Sequence, residues 1–561
     1  MTRRSFLAAT GAMVSQGLRA DESEAGPTVC PKSHPPARTI AAFRSADLTS
    51  WSWDLRLALT CLQGLVNRTE PRLYLIHDRY DELWLDWLRE RGDVERIEWL
   101  EVGEVFERFL HAATQMFITD PAVPASINVA TMLAAVHDGI AVTPAIAEQF
   151  PLPFGGTPDS SRTGMDLRQF NWTKDLDAYR WAFARLDRQL SRSGIAILAP
   201  EEVALRDYLV EFRIPILWIS GPQDEARNPK AASSEEFEFA REIMMRWPPN
   251  IPCLGWPTSG DKTGGIGETP GVRLASACAK YTACTAFDAY SPTVGNLSVH
   301  SGTRATLRQQ RLATRLDRGK VYLAFVRSDG DGWNFHRHYY RKLFDDPRHG
   351  SVPMGWQVSP TASDGMPDIL DYYYRHARPG DCFVNALTGL GYIHEDNYAE
   401  NYPEERQAPI WKEYLQTSAL YRKRIDATVM NTYSEMRPER LEGIAATSGC
   451  SAIFANYGRS RTTTDENVIT AVAGVPVFRA VNRSPGPFTF TPAARRDAEA
   501  FMIAEIRRRT PGRRPAFLNV FLANWLTSLD MIDNIVKALG SEYAVVRADQ
   551  MAGLWHEAVA A

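Results

Sequence analysis

The chain has 561 residues, 44% hydrophobic and 23% charged, with a formal net charge of −4. That length argues for several domains, and the composition is that of an ordinary globular protein. The slight acidic balance and the lack of a Lys/Arg tract exclude a basic nucleic-acid surface, and seven scattered cysteines without a CxxC pair exclude a disulfide scaffold or zinc module. Cys278 and Cys284 are read as plain buried residues, although an oxidising compartment permits them to pair.

The N-terminus reads as an address. "TRRSFLAATGAMVSQGLRA" sets Arg3 and Arg4 before a short, weakly apolar stretch, the twin-arginine export pattern. That stretch is too short for a permanent span, and no other segment reaches the roughly 18 uncharged apolar residues a membrane helix needs. The expectation is an exported protein, periplasmic or extracellular, with no membrane attachment once the signal is removed. "SEA" before Gly26 suits cleavage better than "LRA" before Asp21. A Pro/Gly/Ser linker completes residues 1–37.

From there strand-like and helix-like segments alternate, as in "RLYLIH" (72–77) before "YDELWLDWLRER". The alternation predicts three small Rossmann-like α/β domains with parallel strands, over 38–102, 103–192 and 193–300. The glycine-rich "SGDKTGGIGE" (259–268) lacks phosphate-loop spacing, and no cofactor is expected. Glu268 at its end is either a cleft residue or a plain loop acid. The following "DAYSPTVGNLSVHSG" places Asp288, Asn296 and His300 near the mouth of the next domain; a lone histidine such as His300 is more often a hydrogen-bond partner than a catalyst.

Over 301–561 eight apolar strand segments are separated mostly by helical patterns, which predicts a C-terminal (β/α) barrel of seven or eight strands. An open doubly wound sheet is the rival. Barrel enzymes carry their chemistry at the carboxyl ends of the strands. There the first strand ends in "RSDGDGWNFHRH", and Asp329 and Asp331, at alternate positions, share a side. Two close carboxyls serve as acid and base, or hold a hard cation; the bland reading is an Asp-Gly turn capping a helix. His336 and His338, two apart, do not share a helix face, so no metal is assigned. The third strand ends in "NALTGLGYIHEDNY", whose glycine turn displays Tyr392, His394 and Glu395, with Asn385 on the strand itself. Tyr433 and Glu435 follow the fourth strand.

"GLGYIHE" resembles the signature of the GxGYxYP family, a bacterial family described as glycoside hydrolases. Gly389, Gly391 and Tyr392 match it; His394 stands in place of its second tyrosine and Glu395 in place of its proline. Gly332 stands where asparagine is expected in "SDGDG". "LTCLQGLVNRTEPRLYLI", "NLSVHSG", "GWQVSP" and "VVRADQ" are similar to the family in style. The resemblance implies small α/β domains before a barrel-like domain, and a carbohydrate substrate. It transfers no catalytic residue.

The reading is an exported glycoside hydrolase acting on a poly- or oligosaccharide. Asp329 or Asp331 is one carboxyl and Glu395 the other; Trp333, Asn385, Tyr392, His394, Tyr433, Glu435, Glu268 and His300 are substrate contacts. The alternatives are a non-catalytic carbohydrate-binding protein, or a metal-assisted deacetylase with Asp329 and Asp331 as ligands.

Overall fold

The structure is a computed structural model, and it describes residues 28–43, 53–149, 164–259, 264–288, 291–433, 437–455, 457–483 and 491–560. The Arg3-Arg4 leader and Glu435 lie outside the described residues.

Three small parallel sheets come first. β1 (Thr39–Phe43), β2 (Leu73–Leu75) and β3 (Arg96–Trp99) pair in the order β2-β1-β3. β4 (Gln115–Ile118), β5 (Gly139–Val142) and β6 (Met165–Asp166) pair in the order β5-β4-β6. β7 (Ile195–Ile197), β8 (Ile216–Leu217), β9 (Ile251–Gly255) and β10 (Lys280–Cys284) pair in the order β10-β9-β7-β8. Most of these strands are short apolar runs buried on both faces, as parallel strands covered by helices must be. Their helices are punctuated locally. Helix Arg79–Arg91 starts where the Asp78 side chain accepts from the Tyr80 and Asp81 amides, and stops at Gly92 with φ 82°. Its apolar side buries Trp84, Leu85 and Leu88.

The fourth sheet holds β11 (Val321–Arg327), β12 (Met354–Val358), β13 (Asp381–Asn385), β14 (Val429–Asn431), β15 (Ala452–Ala455), β16 (Ile469–Val472), β17 (Val475–Arg479), β18 (Ala516–Leu522) and β19 (Tyr543–Val545). The order is β16-β17-β15-β14-β13-β12-β11-β18, with β19 paired to β11. Every pairing is parallel except the β16–β17 hairpin. All eight segments read as strands from the sequence contribute one. The expected barrel is met as far as a curled parallel sheet. At the seam, β16 pairs along Val475–Phe478 of β17, the edge that β18 would need. β17 and β18 therefore meet through one isolated bridge, Ala480 to Asn519, where a regular barrel has a full ladder.

Polar side chains lock the domains together. Asn296, at φ 59°, accepts from Gln63 Nε2 at 2.7 Å and the Leu75 amide at 2.8 Å, and donates to the Leu75 carbonyl. Arg337 spans from the C-terminal domain to Asp78 (2.9 Å) and Asp81 (2.6 Å) of the first. The residues before β1 form a strap: the Val29 amide donates to Asp364 Oδ2 and the Tyr421 hydroxyl, and Ser33 Oγ to Glu211. All seven cysteines are buried and unpaired.

Candidate active site

The loop after β11 is shaped from behind. Arg327 Nε donates to Asn524 Oδ1 at 2.7 Å, and the Asn524 amide donates back to Ser328 Oγ at 3.0 Å. Asp329 adopts φ 65°, a left-handed conformation that aspartate tolerates better than bulkier residues. Its amide donates to the Tyr457 hydroxyl and its carboxylate accepts from Ser328 Oγ. At Gly330 a Cβ would fall 1.8 Å from the Gln357 carbonyl oxygen, so the loop can lie against the end of β12 only with glycine there. His336 Nε2 sits 2.9 Å from the Gly330 carbonyl, and burial pushes its pKa down to about 4.

This loop opens onto a cavity of about 340 Å³. Four acids line it: Asp329 and Asp331 from the loop, Glu268 from the start of helix Glu268–Ala277, and Asp288 beyond β10. Trp256, Tyr392, Tyr433 and Tyr457 form a continuous aromatic wall, with successive ring centroids 6.4, 4.8 and 5.7 Å apart. Phe335 and Trp525, 4.4 Å apart, are further aromatic lining. These residues follow strands of the third and fourth sheets, so the cavity lies at carboxyl ends, between two domains. No lysine, arginine or histidine is among its described lining residues.

Crowded carboxyls without a cation hold their protons. Burial and the charges of Glu268 and Asp288 raise Asp331 to about 7. Half-buried Asp329 is raised well above the usual aspartate range, first by burial and then by Asp331, against the Ser328 hydrogen bond. Glu268 is exposed over much of its surface, but its carboxyl accepts from the Tyr392 hydroxyl at 3.1 Å. Burial raises its pKa and that hydrogen bond opposes the rise.

Four family models match in succession: the GxGYxYP first domain over 42–108, its second over 116–190, its third over 193–302, and the "GxGYxYP putative glycoside hydrolase C-terminal domain" over 319–555. The chain belongs to the GxGYxYP family. A solved structure described as a putative hydrolase from Bacteroides thetaiotaomicron VPI-5482 matches with a TM-score of 0.74 at 19% identity, covering 95% of this chain and 98% of that one. At that identity the two share a fold. No curated protein matches.

The GxGYxYP signature is now legible as structure. Gly389 has φ 86°, and a Cβ on it would meet Ser418 Oγ at 2.4 Å. At Gly391 a Cβ would sit 2.8 Å from the Thr282 carbonyl oxygen, because Tyr392 exchanges two backbone hydrogen bonds of 2.9 Å with Thr282 of β10. The signature thus pins the C-terminal sheet to the third domain and delivers the Tyr392 ring to the cavity.

Of the residues expected at the site, Asp329, Asp331, Tyr392, Tyr433 and Glu268 line the cavity. Glu395 does not: it is fully buried, accepting from Thr388 Oγ1 and the Tyr433 amide, and so braces two loops. Asn385 Nδ2 is spent on the Ala386 and Gly389 carbonyls. Trp333 is fully buried, its Nε1 on Ser359 and its ring against Gly365, so it is core and offers no face to a sugar. His394 lies behind the wall, its ring 5.1 Å from Tyr433, and burial lowers its pKa to about 4. His300, buried, bridges Tyr74 (3.1 Å) and Asp368 (2.8 Å) at a domain interface. Tyr457, Trp525, Trp256 and Thr258 were passed over, although each follows a strand, the signal that marked Tyr433. Among the described residues no group of three or more His, Cys, Asp or Glu is placed to hold a metal ion.

Proposed function

We propose that the protein is a glycoside hydrolase whose carboxyl pair is drawn from both sides of this cavity, with Asp329 as general acid and Glu268 as its partner. The observation that carries the reading is the meeting of Asp329, Asp331 and Glu268 with an aromatic wall in one cavity. Sugar rings stack on aromatic faces, and acids held at unequal pKa values divide the roles of donor and acceptor. The family's description as a glycoside hydrolase agrees with this chemistry.

In the reaction, Asp329 gives its proton to the glycosidic oxygen as the C–O bond breaks. Glu268 takes a proton from the attacking water, or attacks the sugar carbon itself and is released by water in a second step. Either way one water is consumed and two hydroxyl ends are formed. The neighbouring Asp331 carboxyl helps Asp329 to keep the proton it gives.

The test is reducing-end release from a panel of oligosaccharides. Asp329→Asn and Glu268→Gln should each cut turnover by roughly 10²–10⁴-fold while ligand binding by calorimetry persists. A loss of only a few-fold in both, with ligand still bound, would convert the reading to a carbohydrate-binding protein that uses the aromatic wall alone.

A further inference from the structure

We infer that the site is assembled across a domain boundary and that Tyr392 is the positioning residue that holds the third domain's Glu268 against the Asp329–Asp331 loop. The role of Glu268 in turnover rests on the hydrolase reading; its positioning does not. Glu268 belongs to helix Glu268–Ala277, which has no backbone connection to the fourth sheet nearer than the segment leading to β11. The Ala399 and Asn401 amides donate to the Ser276 and Ala277 carbonyls at the helix's C-terminal end, and the antiparallel bridge between Thr282 and Tyr392 holds the following strand β10. The Tyr392 hydroxyl then donates to Glu268 Oε1 at 3.1 Å.

Tyr392 is itself held. Its ring packs 4.8 Å from Tyr433 and 6.4 Å from Trp256, and it is 3% exposed, so its hydroxyl has little freedom to point elsewhere. Among the described residues, the titratable groups around Glu268 in this cavity are Asp288, Asp329, Asp331, Cys284, Tyr392 and Tyr433. None of them is a cation. The phenol donates directly to this carboxylate, which makes its loss readable.

Tyr392→Phe removes the hydroxyl and keeps both the ring and the backbone bridge. The readout is the carboxyl titration of Glu268, followed by carbon-13 NMR in glutamate-labelled protein and assigned by the signal missing from Glu268→Gln. A hydrogen bond to a carboxylate favours its charged form, so the variant should ionise less readily, with its acid constant lowered on the order of threefold to tenfold. An unchanged titration overturns the proposal. Should Tyr392→Phe fail to fold, Glu268→Gln decides by itself. Removing the facing charge should lower the Asp331 midpoint from about 7, read in aspartate-labelled protein; an unmoved Asp331 means that Glu268 does not face the loop. If these titrations move as expected and no oligosaccharide is cleaved, the positioning stands and the hydrolase reading falls.

Discussion

Burial holds the Asp331 carboxyl near 7, and the charges of Glu268 and Asp288 add to the effect. In the unfolded chain an aspartate ionises near ~3.9. Between those two values the unfolded chain has released the proton that the folded chain keeps. Stability is therefore intact at acid pH, falls as pH rises through that window, and stays lowered above it. Asn at this position carries no such penalty. Asp331→Asn should unfold at a higher temperature than the parent at about pH 8 and at nearly the same temperature at about pH 4. Scanning calorimetry at both pH values checks this, and an equal shift at the two would mean that Asp331 ionises normally. The same residues show how far single positions can be read from sequence. Asp329, Asp331, Tyr392 and Tyr433 were visible because they follow strands and glycine turns. Trp333, two residues past Asp331, looked equivalent, but it starts a helix whose inner side packs on Gly365. Glu395 had the right chemistry in the right loop, yet its carboxylate is consumed by Thr388 and the Tyr433 amide. Which way this loop acid turns is decided by one partner 7 residues away and another 38 residues away, and neither shows in a local pattern.

At the scale of elements, the segment Gly389–Tyr392 does two jobs, turning the chain after β13 and pairing with β10. Gly391→Ala should push its Cβ into the Thr282 carbonyl, 2.8 Å away, and break the exchange of hydrogen bonds there. The expected loss is about 1–3 kcal/mol in stability, together with weaker oligosaccharide binding, while far-UV circular dichroism stays unchanged. Wild-type binding and unfolding in this variant would show that the two domains are held mainly by other contacts. Eight of the nine strands of the C-terminal sheet were legible because buried parallel strands are near-continuous apolar runs. The β16–β17 hairpin was missed, although its signal is present. Ala473 and Gly474, with φ 48° and 79°, form a two-residue turn between Val472 and Val475, the pattern of a tight hairpin. β16 takes the edge of β17 on which regular closure of a barrel depends.

At the scale of the molecule, the four domains imply an order of assembly. We propose that Arg3 and Arg4 direct export. Replacing both with lysine should leave the protein in the cytoplasm, as fractionation and immunoblotting would report; normal periplasmic amounts of the double variant would rule out a twin-arginine signal. The alternation of strands and helices was legible in the sequence. The contacts between domains were not, because side chains such as Asn296, Arg337 and Tyr392 find their partners only after each sheet exists. The strap before β1 carries that dependence furthest. The Val29 amide is bonded to Asp364 and to Tyr421, 335 and 392 positions further along the chain. Val29 leaves a ribosome 392 residues ahead of Tyr421, so the strap's amides stay bonded to water until that stretch has been made, and their docking records that the C-terminal domain has arrived.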